Sequence, residues 1–312
     1  MATIVFVDHL GEESLGIMQL SAVLKQQRHQ THLACGSLEA ISTTIARVKP
    51  DLLGYSCYMA DYDWYLDKAR QLKASFPGIP NIFGGYAPSD GGHLFVDTAI
   101  DMLCRGDGEE VMLKVAQRLD NRDNNFEGLG LSLRGDDHTT APVHRIENID
   151  TLPFPDRALF GYGTKHKFSF LTISARGCSF CCSFCSNVMG IMRAKNRTTY
   201  VRYHSVDYMI AELKHIKSNY RVSYFEFVDS TFNLDETRML EFLERYNREI
   251  DLPFNCCVRA DLVTYGEGRT DHVAFWLGAG RILHSTSREG LGVVEEPEPK
   301  ELQNRRRRVV RL

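Results

Sequence analysis

Short apolar runs alternate with amphipathic segments over residues 1–119, and this alternation restricts the possible fold more than any other feature of the sequence. The apolar runs predict strands and the segments between them predict helices. The predicted strands are Ile4 to Val7, Thr31 to Ala34, Leu52 to Tyr55, Ile79 to Phe83 and Ile100 to Leu103. The predicted helices are Glu13 to Gln27, Leu38 to Val48, Trp64 to Ser75 and Glu109 to Leu119. Because such crossovers are right-handed, we expect a doubly wound α/β domain with binding loops at the carboxyl ends of its strands.

A second series of strands and helices follows further along the chain and has the pattern with which a (β/α) barrel begins. Its predicted elements are, in order, Phe170 to Ser174, Val206 to Ser218, Tyr224 to Val228, Asp235 to Ile250 and Phe254 to Val258. We interpret residues 126–165 as a linker with one hairpin and an extended proline-containing end. Residues 265–312 are expected to form an irregular basic tail, whose run Arg305 to Arg308 is interpreted as solvated rather than as a nucleic-acid patch.

The chain contains nine cysteines, an odd number that makes a poor disulfide framework, and four of them fall within eight residues. No basic leader is visible at the start, and no apolar stretch approaches the roughly 20 residues that span a bilayer. We therefore expect a cytoplasmic protein, in which crowded cysteines indicate metal or redox chemistry. The formal charge of −3 gives no general reason to bind nucleic acid or an anionic membrane.

The crowded cysteines can be divided in two ways. Cys178, Cys182 and Cys185 form C-x3-C-x2-C, whereas including Cys181 gives two abutting C-x2-C pairs. Zinc sites usually separate such pairs by a dozen or more residues, so the second division would strain a tetrahedral site. Three thiolates in one short loop instead suit an iron–sulfur cluster that keeps one iron open to a ligand.

With Arg176-Gly177 before the motif and Phe184 within it, the sequence resembles the radical S-adenosylmethionine (SAM) enzymes. The resemblance implies that Cys178, Cys182 and Cys185 hold a [4Fe-4S] cluster and that Phe184 lies near the adenine of SAM. Cys181 is then a thiol outside the ligand set. The family cleaves SAM reductively to a 5′-deoxyadenosyl radical, which requires an electron donor such as flavodoxin or ferredoxin.

Flanking segments resemble the branch of this superfamily that carries an N-terminal cobalamin-binding domain. The matching stretches are Leu152 to Arg157, Tyr208 to Leu213, Phe225 to Phe232 and Val258 to Asp261. The resemblance implies a flavodoxin-like cobalamin-binding domain over residues 1–125 and a partial radical SAM barrel over residues 166–264. It also implies that Asp229 and Arg259 contact SAM. The glycines expected to contact cobalamin are Gly84, Gly85, Gly106 and Gly108. Asp8-His9-Leu10-Gly11 lacks the spacing D-x-H-x-x-G, so that motif supplies no histidine to cobalt.

The expected function is methyl transfer to an unactivated carbon, or a related radical conversion, using cobalamin and SAM. Two alternatives are a radical methylthiotransferase acting on transfer RNA and a catalytically impaired homologue that only binds cofactors. The second alternative arises because the barrel pattern stops near residue 264, as a truncated or frameshifted reading frame would produce. The sequence does not identify the substrate.

Overall fold

The computed structural model describes residues 1–9, 11, 13–91, 97–137, 142–162, 169–180, 182, 185 and 200–258, with the backbone of 274–278, 281–286 and 292–297. The first domain is built on a six-stranded sheet of order β2-β1-β3-β4-β5-β7, parallel except for β7. The six strands are β1 (Thr3–Asp8), β2 (Gln30–Cys35), β3 (Leu52–Ser56), β4 (Asn81–Gly84), β5 (Met102–Leu103) and β7 (Ser132–Leu133), and a further short strand, β6 (Arg105–Gly106), lies outside this sheet. The order β2-β1-β3-β4-β5 confirms the predicted doubly wound fold.

Five helices cover the two faces of this sheet. They are α1 (Leu15–Gln26), α2 (Leu38–Val48), α3 (Tyr62–Ser75), α4 (Tyr86–Gly91) and α5 (Glu109–Asp120). Alternate residues of β1 divide between two cores, because successive strand side chains point to opposite faces. Ile4 and Phe6 pack in the core that contains α1 and α5 residues, and Val5 and Val7 pack in the core that contains α2 and α3 residues.

The segment expected to be a linker is partly an extension of the first domain. β7 pairs antiparallel with β5, and β8 (Val143–His144) pairs parallel with β6. The predicted hairpin is therefore wrong, because the two short strands find partners in the first domain instead of pairing with each other. Two turns of 3-10 helix, Ile149–Thr151 and Arg157–Phe160, lead to the second domain.

The second domain contains a parallel three-stranded sheet of order β13-β12-β9. Its strands are β9 (Ser169–Thr172), β12 (Tyr224–Phe227) and β13 (Phe254–Cys256), and its helices are α6 (Val206–Asn219) and α7 (Glu236–Glu249). A small antiparallel pair, β10 (Ala175–Arg176) and β11 (Arg202–Tyr203), lies after β9. Phe225 and Phe227 are fully buried while Glu226 between them is half-buried, as the expected alternation requires. The strands and helices agree with the predicted start of a barrel.

Part of the predicted irregular tail is regular. β14 (Ala274–Gly278), β15 (Arg281–Thr286) and β16 (Gly292–Pro297) form an antiparallel sheet, so the prediction is wrong for these stretches. Antiparallel neighbours joined by short connections need only local pairing and no helix between them. The search for alternating strands and helices therefore missed them. Arg305 to Arg308 lie outside the described residues. Within the described residues, no helix is long and apolar enough to cross a membrane.

Candidate cofactor site

The carboxyl edge of the first sheet carries an exposed apolar surface. Tyr58 and Met59 follow β3, Tyr86 follows β4, and all three side chains are about half exposed. The rings of Tyr58 and Tyr86 stack with centroids 5.7 Å apart. Exposed aromatic surface at the loop end of a doubly wound sheet is typical of a ligand site. Its stacked rings suit a large flat ligand.

The loop after β1 is held by contacts within the first domain. Asp8 is buried, and its carboxylate accepts from Gly11 N at 2.8 Å and from the Tyr65 hydroxyl at 3.3 Å. Burial raises the pKa of Asp8, although both hydrogen bonds oppose this shift. The His9 ring stacks on Trp64 at 4.5 Å, and its Nδ1 lies 3.2 Å from Asp61.

The four glycines expected to contact cobalamin have different surroundings. Gly85 has φ +95°, and a Cβ there would lie 2.9 Å from the backbone N and O of Cys57. Gly106 has φ +81°, and a Cβ there would overlap the carbonyl oxygen of His144. A Cβ on Gly108 would be 3.3 Å from Leu20, whereas one on Gly84 would meet nothing closer than 3.9 Å. Close packing of the chain on itself therefore explains Gly85 and Gly106, and contact of the four glycines with cobalamin stays a prediction.

The three motif cysteines follow the β9 and β10 strands of the second domain. Cys178 is buried, Cys182 and Cys185 are half-buried, and the amide of Cys185 donates to the carbonyl of Cys182 at 3.0 Å. The Sγ of Cys178 lies 3.6 Å from Oγ1 of Thr231, in the loop after β12. Phe184 and Cys181 lie outside the described residues.

No three His, Cys, Asp or Glu side chains of the described residues are grouped so that they could share one metal ion. A single zinc ion would need its sulfurs together, each about 2.3 Å from the metal. An iron–sulfur cluster distributes its cysteines over several metal atoms, so its thiols need not converge on one point. Three thiols on one loop are the kind of ligand that such a cluster uses.

Asp229 lies buried at the carboxyl end of β12 and joins two loops. Its carboxylate accepts from Ser174 N at 3.0 Å and from Ser174 Oγ at 2.7 Å. Arg238 of α7 donates to the carbonyl of Ser174 at 2.8 Å and to the carbonyl of His204 at 2.8 Å. Burial raises the pKa of Asp229, with the Ser174 hydrogen bonds acting in the opposite direction. The sequence indicated Asp229 but not this network, and Arg259 lies outside the described residues.

Two arginines of the second domain contact two carboxylates of the first. Arg176 donates to Asp107 at 2.9 Å and to Glu109 at 2.6 Å, and Arg202 also pairs with Asp107. Burial alone would raise the pKa of Asp107, but Arg176 and Arg202 hold it below its ordinary value. Sequence reasoning missed this cluster because Asp107 and Arg176 are 69 positions apart.

The remaining cysteines were expected to be packing residues. Cys57 and Cys104 are buried, and burial raises the pKa of each thiol to about 12, which agrees with that expectation. Cys257 is exposed, so the expectation is wrong for this residue. It follows β13 and lies between Cys256 and Val258, which are half-buried and pack against the core.

Comparison with known proteins extends these observations. Residues 4–116 match the family model described as "B12 binding domain". The chain is 26% identical over 263 residues to an uncharacterized methyltransferase, PH0819, of Pyrococcus horikoshii, covering 79% of this chain and 55% of that protein.

Two solved structures share the fold. One is the cobalamin-dependent S-adenosylmethionine radical enzyme OxsB with aqua-cobalamin bound, with TM-score 0.65 and 16% identity over 87% of this chain and 40% of OxsB. The other is the radical S-adenosylmethionine methyltransferase TsrM of Kitasatospora setae with cobalamin and a [4Fe-4S] cluster bound, with TM-score 0.56 and 15% identity over 80% of this chain and 53% of TsrM. The chain thus spans about half the length of these proteins. The resemblance seen in the sequence is confirmed.

Proposed function

Because residues 4–116 match a B12-binding domain and the chain shares its fold with cobalamin-dependent radical SAM enzymes, we propose that it is an enzyme of this type. The proposed reaction is methyl transfer to an unactivated carbon or a related radical conversion. One observation carries the proposal. The strand that precedes Cys178 is bound, through Arg176, to Asp107 and Glu109 beside the carboxyl edge of the first sheet. This contact supports a reaction that uses both proposed cofactors, because it joins the chain beside each of their proposed sites.

The first domain fits cobalamin. The exposed rings of Tyr58 and Tyr86 and the side chain of Met59 offer apolar contact area for a macrocycle. Gly85, between β4 and Tyr86, packs against the backbone of Cys57, and we assign it as a cobalamin contact. Gly84, Gly106 and Gly108 complete the proposed contact set.

The second domain fits an iron–sulfur cluster and SAM. We assign Cys178, Cys182 and Cys185 as the cluster ligands, and Phe184, Asp229 and Arg259 as residues that contact SAM. When bound, the cluster supplies the electron that cleaves SAM, and cobalamin supplies the methyl group. Asp229 can accept from an ammonium group, and Arg259 can bind a carboxylate through two hydrogen bonds. The Thr231 hydroxyl donates its proton to the carbonyl of Ser230 at 2.6 Å and lies 3.6 Å from the Cys178 sulfur, so it can accept from this thiol in the metal-free chain.

The cellular setting follows from the same chemistry. A cluster held by three cysteines and open at one iron requires a reducing compartment, so we place the protein in the cytoplasm. There a small electron carrier of the flavodoxin or ferredoxin type would reduce the cluster. The substrate is a small molecule or a peptide, and its identity is open.

Anaerobic reconstitution with iron and sulfide tests the proposal. We expect about four iron and four sulfide per wild-type chain. Replacement of Cys178, Cys182 or Cys185 by Ala should abolish most of this uptake, whereas Cys35→Ala, a half-buried cysteine of β2, should retain it. Hydroxocobalamin should bind the same preparation. A protein that takes up one zinc ion and no iron would overturn the proposal.

Product analysis separates the proposed enzyme from a protein that only binds its cofactors. The loaded chain, reduced with dithionite in the presence of SAM, should release 5′-deoxyadenosine. Binding of all three cofactors without that product would identify a non-catalytic homologue. A methylthiotransferase gains no support from the matched proteins, since PH0819 and TsrM are both named methyltransferases.

A further inference from the structure

Two short paired strands, β10 and β11, flank the segment that carries the cysteine motif. β10 and β11 pair antiparallel, with Arg176 directly opposite Arg202. Cys178, Cys182 and Cys185 all lie in the segment 177–201 that connects these two strands. The segment is therefore attached to the second domain through this pair of strands, which we call the neck.

Both sides of the neck are held by one carboxylate of the other domain. Arg176 donates to Oδ1 of Asp107, and Arg202 pairs with Oδ2 of the same residue. Oδ2 also accepts from the amide of Ile146 at 2.8 Å, and Arg202 donates to the carbonyl of Ile146 at 2.7 Å. Glu109 adds a second carboxylate to Arg176 at 2.6 Å. Two carboxylates thus balance two guanidinium groups in a largely buried place.

Backbone packing at the neck leaves little freedom. Gly177 has φ +94°, and a Cβ there would lie 3.1 Å from the carbonyl oxygen of Tyr200. Arg145 donates to that same carbonyl at 2.9 Å. Gly177, the residue before Cys178, is therefore in close contact with Tyr200 near the other end of the segment.

We propose that Asp107 is a positioning residue for the cluster loop. By binding Arg176 and Arg202 together, it keeps the two ends of the segment closed and fixes the chain from which Cys178 projects. The inference rests on the proposed function for the identity of the bound cluster. It assigns to a residue of the B12-binding domain a task in the iron–sulfur site of the other domain.

Hydrogen exchange in the metal-free chain gives the first test. Asp107→Asn keeps the size of the side chain but leaves Arg202 facing a neutral amide and Arg176 paired with Glu109 alone. We expect peptides that cover 174–180 and 200–204 to exchange roughly tenfold faster or more, while peptides from α2 stay unchanged. The matched control is Asp123→Asn, which breaks an exposed ion pair with Arg118 in the same domain and should leave the neck unchanged. Unchanged exchange at the neck, or equal acceleration everywhere, would overturn the proposal.

Iron release from the reconstituted protein gives the second test. Groups that support metal ligands commonly change metal affinity by about 10- to 100-fold, so Asp107→Asn should lose iron to a chelator faster by a factor of this order. Asp123→Asn should release iron at the wild-type rate. A normal release rate in Asp107→Asn, with only a lower melting temperature, would show a purely structural role and overturn the proposal.

The two tests distinguish the sources of failure. If the wild-type chain takes up no iron while its neck opens in Asp107→Asn, the proposed function fails and the role toward the cluster falls with it. If iron uptake is normal and the neck exchanges as in wild type, the role of Asp107 alone fails. Should Asp107→Asn not fold, Arg202→Gln carries the same measurements. Arg202→Lys should then restore part of the protection, because it keeps the charge without the planar fork.

Discussion

Arg157 and Glu212 form a buried ion pair at 2.8 Å, with side chains only 2% and 5% exposed. Arg157 belongs to the segment expected to be a linker, whereas Glu212 lies on α6 of the second domain. Glu212 also accepts from the hydroxyl of Thr172 at 3.1 Å, and the guanidinium lies 5.8 Å from the centroids of Tyr162 and Phe170. This part of the segment is therefore packed into the second domain.

Removing one member of this pair should destabilise the protein strongly. Arg157→Met leaves Glu212 as a buried charge without its cation, and such changes typically cost about 3–5 kcal/mol. Urea unfolding followed by circular dichroism measures the loss. The control, Arg70→Met, breaks the pair between Arg70, 59% exposed, and Asp97, and should cost about 1 kcal/mol or less. Equal effects of the two substitutions would contradict the buried-pair interpretation.

Gly106 and Gly128 offer a matched pair of substitutions, since both have positive φ, +81° and +76°. A Cβ at 106 would overlap the carbonyl oxygen of His144 and disrupt the pairing of β6 with β8, whereas a Cβ at 128 would meet open space. Gly128→Ala should cost about 1–2 kcal/mol, the ordinary penalty of this conformation. Gly106→Ala should cost clearly more in the same urea measurement, and an equal cost would show that β8 moves freely.

Much of the architecture could be predicted because local patterns determine it. α2 runs over Leu38–Val48 as predicted, since Ser37 caps its start and its apolar residues Ile41 and Ile45 repeat at helical spacing. Strands β1 and β2 are each one residue longer at both ends than predicted. The carboxyl-edge position of the motif cysteines followed directly from the predicted strand before them.

Features that depend on contacts distant in sequence could not be predicted. The two-residue strands of the neck have no periodicity to detect, and the pairing of Arg176 with Asp107 depends on how two domains meet. The same limit explains the linker, where Arg157 is buried through its contact with Glu212, 55 positions away. The Gly106-Asp107-Gly108-Glu109 turn was identified from its glycines, whereas its carboxylates make the contacts to the second domain.

His204 should make stability depend on pH. Its Nδ1 donates to Asp150 at 2.9 Å, its ring stacks on Tyr208 at 4.0 Å, and burial lowers its pKa although Asp150 opposes the shift. The unfolded chain, with a histidine pKa of about 6.5, then binds a proton that the folded chain does not. The stabilising contribution of neutral His204 is complete above that pH and is lost as the pH falls below it.

Urea unfolding at several values between about pH 5 and pH 7.5 tests this expectation. Stability should rise with pH in wild type, and the rise should be smaller in His204→Gln. Some rise will remain, because burial also lowers the pKa of His29 and His32. His215→Gln, on the exposed side of α6, is the matched control and should keep the wild-type dependence. An unchanged rise in His204→Gln would contradict the assignment.

Asp229→Asn should separate stability from SAM binding. Burial raises the pKa of Asp229 above 3.8, so the ionised carboxylate carries a desolvation cost at neutral pH that an amide avoids. An asparagine oxygen in the place of Oδ1 can still accept from Ser174 Oγ. We therefore expect Asp229→Asn to melt at the wild-type temperature or above at pH 7.5, and to lose this advantage below about pH 4.

The affinity of Asp229→Asn for SAM in the anaerobically reconstituted protein should fall roughly tenfold or more, because the ammonium group of SAM loses a charged acceptor. Glu226→Gln, on the opposite face of β12, should bind SAM as wild type does. Wild-type affinity in Asp229→Asn would show that this carboxylate only joins the two loops.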